Sequence, residues 1–304
     1  MTKEKLLPLL LDNRVLSNNQ EKALRKLFKA IASAKNEDRD ADDWFILGYV
    51  ELADENADEA IDTFDFAIDL NPDFEAAYKF RASAYKMLGD YQQALRDATK
   101  AIELDENYLD AWYERASIHH NMKAFDKALE DTNKALGIEP EASYIRLLKA
   151  RIMYDSGDYK NSISEFDTII AEEPKNVDAI GARGLAYFFS DKPEEALADI
   201  RKARLLEGGS IVSEFNMGLV CSAIPEKSKE AFRHLEKAFR KDGKLLQHYI
   251  EHSDSEESER LISKLENIFE SIKERREENF YTRELHDLLE RKLRDARETN
   301  QKNE

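Results

Sequence analysis

The sequence predicts an all-α solenoid of stacked helix-turn-helix repeats, with helical flanks at both ends. Three observations predict it: an internal period of 34 residues, a scarcity of chain breakers, and apolar residues at helical spacing within each period. Small residues recur at Gly48, Ala82, Ala116, Ala150, Gly184 and Gly218, each 34 positions after the last. Ala60, Ala94, Ala128, Ser162 and Ala196 repeat the interval, as do Ala67, Ala101, Ala135, Ile169 and Ala203. The 304 residues include 10 Gly and 6 Pro, well under the roughly 12% of average usage, so connections are short.

Composition narrows the function. Lys and Arg number 46 against 63 Asp and Glu, a formal charge of −17. That balance argues against broad nucleic-acid backbone binding, which needs a basic footprint. The lone Cys221 excludes an intramolecular disulfide and a Cys-rich zinc site. No run reaches the roughly 18 apolar residues of a membrane span. Leu6–Leu11 is interrupted by Pro8 and too short for a secretion signal. A cytoplasmic protein without membrane insertion is expected.

Residues 1–40 read as an N-terminal helical cap or degenerate repeat. Ala23, Leu24, Leu27, Phe28, Ala30 and Ile31 give it an amphipathic stripe. Each following period needs two helices. In the second, Ala76–Leu88 lacks Pro and Gly, Gly89-Asp90 breaks the chain, and Tyr91–Leu104 is again apolar at helical spacing. The small lattice residues mark where the two helix backbones approach closely. Six periods are placed at 41–74, 75–108, 109–142, 143–176, 177–210 and 211–245. After Pro225 the phase slips by one residue, giving Ala231 and Ala238, as one inserted turn residue would produce. Residues 246–304 read as charged C-terminal helices. Leu261, Leu265, Ile268 and Ile272 form one stripe, and Leu285, Leu288, Leu289 and Leu293 a second. Ser253 with Glu256 fits a capping box at the start of that region.

The chain resembles the tetratricopeptide-repeat family, whose signature is W-x2-L-G-x2-Y…A-x3-F…P. Trp44-x2-Leu47-Gly48, Ala60-x3-Phe64 and Pro72 match it, with Glu51 in the Tyr position that Tyr85 and Tyr187 hold elsewhere. The resemblance covers about two-thirds of the chain. It implies a right-handed superhelical solenoid whose first helices line a concave groove, and a non-catalytic scaffold or adaptor that binds proteins or peptides. No cofactor or metal is called for.

Repeat positions 2, 5, 9 and 12 form one helical stripe along that groove. The expected partner-binding residues are Lys79, Phe80, Ser83, Lys86, Met87, Tyr113, Ser117, His120, Tyr144, Leu147, Arg151, Tyr154 and Phe188. They are mostly aromatic and aliphatic, with isolated cations. A peptide or amphipathic helix with apolar anchors suits them. The subfamily that clamps C-terminal carboxylates of heat-shock chaperones is not matched: Lys79 fits its pattern, but Ser83, Glu114, Tyr144 and Leu148 do not. A co-chaperone or secretion chaperone holding a client in the same groove is the alternative. The C-terminal helices folding over Phe188, Phe189, Phe215 and Leu219, or the N-terminal segment covering Phe45 and Tyr49, would close part of the groove. Self-association through 246–304 is a further reading.

Catalytic strings are few. His248-Tyr-Ile-Glu251-His252 spells H-x-x-E-H, a zinc-peptidase pattern. It fixes only three positions, and the 52 residues after it leave no room for that family's catalytic domain. A zinc-dependent hydrolase through His248 and His252 is therefore a remote alternative. His119 and His120 are adjacent, so their side chains diverge on a helix. Cys221 sits at a packing position. The acidic serine tract Ser253–Glu259 reads as a solvated helix start that also presents phosphorylatable hydroxyls.

Overall fold

The computed structural model describes residues 2–11, 16–247, 255–273 and 280–303. Among them there is no strand. The chain divides into two compact units, residues 1–149 and 150–304.

The first unit opens with α1 (Lys3–Leu11) and α2 (Asn18–Ala32). Three helix pairs follow: α3 (Ala41–Ala53) with α4 (Ala57–Leu70), α5 (Glu75–Met87) with α6 (Tyr91–Leu104), and α7 (Leu109–Asn121) with α8 (Phe125–Ile138). The division between the units falls within α9 (Ser143–Asp155). The second unit continues with α10 (Tyr159–Glu172), α11 (Val177–Phe189) with α12 (Pro193–Glu207), and α13 (Ile211–Ser222) with α14 (Ser228–Lys241). Its described residues end in α15 (Ser255–Lys273) and α16 (Phe280–Asn303). Within each unit, helices pack mainly on their sequence neighbours, the one-dimensional pattern of stacked repeats.

The 34-residue lattice has a backbone cause. The turn inside each pair places one residue in the left-handed region: Glu55 (φ 64°), Gly89 (78°), Lys123 (57°), Gly157 (84°) and Asp191 (58°). The sixth equivalent is Pro225, whose ring fixes φ near −65° and forbids that turn. The turn is rebuilt there as a 3-10 helix, Pro225–Lys227, which accounts for the slip in phase.

Close approach is tuned by volume. A Cβ on Gly48 would lie 2.8 Å from Phe64, one on Gly184 2.9 Å from Ile200, and one on Gly218 2.5 Å from Leu235. Where the equivalent partner is small, as at Ala98 or Thr132, the lattice position is Ala82 or Ala116. Ala150 with Phe166 departs from this trade.

A recurring ion pair fastens the pairs. Arg81 grips Asp97 with two bonds of 2.7 Å and also pairs with Asp65 on the preceding α4. Arg115 grips Asp131 at 3.0 and 2.7 Å and donates to Thr99 on α6. Arg183 grips Asp199 at 2.7 Å twice and reaches Asp167 on α10. Each guanidinium ties its own hairpin and the repeat before it.

At the N-terminal flank, Arg39 donates to the carbonyls of Ile31, Ala32 and Ala34 and closes the end of α2. Leu6, Leu10 and Leu24 join Phe45 and Phe64 in one core, with Tyr49 packed against it. In the second unit, Leu261, Leu265, Ile268, Leu285, Leu289 and Leu293 share a core with Phe188, Phe215 and Leu219.

Candidate peptide-binding surface

Within the first unit α5 packs beside both α3 and α7, so the first helices of the pairs share a face. The expected groove residues divide there. Lys79 is only 4% exposed. Its Nζ lies 3.7 Å from the Phe80 ring centroid, and burial lowers its pKa against the opposing pull of Glu114 and Asp110. Phe80 is buried too, edge-on to Phe45 at 5.6 Å and Tyr49 at 5.2 Å. Both belong to the core, contrary to expectation, because the first repeat meets them with an unusually aromatic wall.

The others remain accessible. Met87 and Tyr144 are exposed, and Ser83, Lys86, Tyr113, Ser117, His120 and Leu147 are half-buried. Tyr113 and Tyr144 pack with ring centroids 5.4 Å apart. The Tyr144 hydroxyl donates to Asp110 at 3.0 Å; burial and that carboxylate push its pKa up. Lys86 lies 2.8 Å from Glu114 and donates to Ser117 at 3.2 Å, so its charge is matched within the protein. The surface thus offers an ordered tyrosine pair beside an internally paired Lys86 and a hydrogen-bonded Asp110 carboxylate.

In the second unit Arg151 is exposed and Tyr154 half-buried, packed edge-on against Tyr159 and Phe189. Phe188, expected to line an open groove, is 1% exposed. The cause is α15, which lays Lys264 over its ring at 5.2 Å and shares its core. Both leucine-rich stripes of residues 246–304 are consumed in that core, each named member under 8% exposed.

The candidate reactive groups are placed as follows. His248, Glu251, His252 and Ser253 lie outside the described residues. Cys221 is fully buried, and burial pushes its thiol up to about 11, so it carries little thiolate at neutral pH. Burial lowers the pKa of His119. His286, Asp287 and Glu290 bring ligand atoms within 4.8 Å of one another, but His286 is packed on Phe269 at 4.7 Å. Nothing in the repeat lattice flags that trio or the cavity under α15, since both depend on the flank.

These paired-helix repeats stack into the kind of array that presents an extended surface. Residues 75–108 and 109–141 each match a family model described as tetratricopeptide repeat. A tetratricopeptide repeat protein from Parabacteroides merdae ATCC 43184 is similar, at 21% identity and a TM-score of 0.58, over 77% of this chain and 90% of that one. Similarity to the Cut9–Hcn1 hetero-tetramer of the APC/C has a TM-score of 0.62 at 16% identity, over 73% of this chain and 44% of that one. A thermophilic tetratricopeptide-repeat protein of Thermus thermophilus aligns at a TM-score of 0.50 and 17% identity, over 59% of this chain and 98% of that one. No curated protein matches the sequence. Residues 75–141 thus match two tetratricopeptide repeats, and the paired-helix fold is similar to that of tetratricopeptide-repeat proteins. No helix among the described residues is long and apolar enough to cross a membrane.

Proposed function

We propose that the shared face of α5, α7 and the start of α9 receives a peptide or amphipathic helix of a partner protein, making the chain a cytoplasmic adaptor. One observation carries this reading. Tyr113 and Tyr144 pack together, yet Tyr144 remains 43% exposed. Aromatic side chains held in place but left open lose little entropy when a partner covers them. Lys86 is already paired with Glu114, and Asp110 accepts a hydrogen bond from Tyr144. The favoured segment is therefore one with apolar anchors rather than a dense charge.

The test is affinity capture from native extract, comparing the wild-type chain with a Tyr113→Asp, Tyr144→Asp variant of equal helicity. A partner lost only in the variant supports the reading; retention by both chains moves the interaction elsewhere. The chaperone alternative differs in breadth, because a chaperone would suppress aggregation of several unrelated proteins.

A further inference from the structure

Charge is distributed unevenly at the start of the chain. Residues 1–39 hold nine Lys and Arg against five Asp and Glu, whereas residues 40–78 hold 13 Asp and Glu and no Lys or Arg. Part of this asymmetry is satisfied internally: Lys3 pairs with Asp43 at 2.7 Å and with Asp40, and Arg25 pairs with Asp54. The remainder lies on two helices, α2 and α4, which both pack on α3. On α2, Lys22, Lys26 and Lys29 are exposed at a spacing of four and three, with Glu21 the one acid of that helix. On α4, Asp58, Asp62 and Asp69 are exposed and Asp65 half-buried, at a spacing of four, three and four. Each set forms a stripe along its helix.

Neither stripe is neutralised within the chain. Among the described residues, Lys22, Lys26, Lys29, Asp58, Asp62 and Asp69 make no ion pair, and Asp65 alone of these carboxylates is paired, with Arg81. Beside its acidic stripe α4 also exposes apolar surface: Phe66 is 47% and Leu70 57% exposed. Phe66 is stacked on Trp44 with centroids 4.5 Å apart, so the ring is held in place while much of it stays open. Repeat packing does not require an aromatic there, since Lys100, Lys134 and Lys202 stand at the equivalent position of three other repeats. A lysine side chain suits such a surface, because its methylenes cover apolar area while its ammonium meets a ring face or a carboxylate. An anionic membrane or nucleic acid suits it poorly, since α4 would repel either, and Leu24 and Ile31 of α2 are buried rather than free to insert.

We infer that α2 and α4 form the interface of a homodimer, the lysine stripe of α2 in one copy lying on the acidic, Phe66-bearing face of α4 in the other. Both faces belong to one unit, so a twofold axis lets each copy give its α2 and receive on its α4, which closes the assembly at two chains. Exposed ion pairs are individually weak. The interface therefore relies on several acting together and on the cover given to Phe66 and Leu70, and it is sensitive to salt. It uses no residue of the tyrosine face.

The experiment is sedimentation equilibrium of the full chain at about 50 mM and about 500 mM NaCl. The expected result is a reversible dimer at about 100 µM chain, as a small polar interface gives, with an association constant that falls about tenfold or more at the higher salt. A variant with Lys22→Glu, Lys26→Glu and Lys29→Glu should be monomeric, and so should one with Asp58→Lys, Asp62→Lys and Asp69→Lys. The two variants mixed should form a heterodimer, because the exchanged charges are complementary again. Circular dichroism checks that each variant is folded. A wild-type chain that stays monomeric at low salt would leave the α4 face to a basic segment of a different protein, and overturns the inference. It is equally overturned if the dimer is indifferent to salt, if either folded variant dimerises as the wild type does, or if the mixture stays monomeric. Should a variant fail to fold, zero-length carbodiimide cross-linking of mixed isotopically light and heavy wild-type chains decides. Hybrid cross-links between the α2 lysines and the α4 carboxylates are then required, and their absence overturns the inference.

Discussion

The left-handed turn residue can be tested as pure backbone energy. Glu55 adopts φ 64° where the next repeat uses Gly89 at 78°. Holding an L-residue in that region costs about 1–2 kcal/mol. Glycine avoids that cost but loses about 0.5–1 kcal/mol in extra chain entropy on folding. Glu55→Gly should therefore stabilise the protein by about 0.5–1 kcal/mol. Gly89→Ala should destabilise it by about the same amount, and nothing lies within 4 Å of the added Cβ to confuse the result. Gly157→Ala should cost more, since its Cβ would meet Arg260 Nη1 at 3.0 Å. Urea unfolding followed by circular dichroism measures all three, with the m-value checked for constancy. If Glu55→Gly destabilises while Gly89→Ala is neutral, the turn does not control the repeat and the reasoning fails.

Three further outcomes are expected. Gly218→Ala should lower stability by about 1–3 kcal/mol through overpacking, because Leu235 approaches with its backbone nitrogen as well as its side chain; thermal unfolding measures it. Arg115→Leu should cost about 3–5 kcal/mol by stranding a buried carboxylate, Asp131; restoring stability with a second change, Asp131→Leu, would confirm that origin. Glu214 is buried, which opposes ionisation, yet hydrogen bonds from Lys237, His234 and Arg204 outweigh this and hold its pKa down to about 2. A depressed folded pKa gives stability that is full above the ordinary carboxyl range and is lost as pH falls toward 2. Urea midpoints between about pH 5 and about pH 2.5 should therefore fall less steeply in Glu214→Gln than in the wild type.

The repeat was legible because its signals are local and redundant. Helix pairs begin at residues 41, 75, 109, 143, 177 and 211, where the small-residue and proline spacing put the periods. Pro225 announced the irregular sixth turn. The Arg81, Arg115 and Arg183 clamps were equally regular, each with its aspartate 16 residues on; their polarity hid them from a search for apolar periodicity. Exposure was harder to read. Phe80 and Tyr144 sit on the same kind of surface in sequence, yet one is buried and the other open. The difference lies in the neighbour: Phe45 and Phe64 against one, Tyr113 against the other. Phe188 was decided by Lys264 on a helix far along the chain, a distance at which periodicity carries no information.

The second unit's covering helices bear on assembly. A stack of like hairpins has no intrinsic stopping rule, since the surface that receives one hairpin resembles the surface that receives the next. Here Phe188, Phe215 and Leu219 are satisfied by α15 and α16 instead of by another pair. The charge of these helices then faces outward, with residues such as Glu290, Arg291 and Arg294 exposed. A stack so covered buries the apolar residues Phe188, Phe215 and Leu219, which a further hairpin would otherwise meet. The flank thereby replaces a repetitive apolar end with a charged one among the described residues.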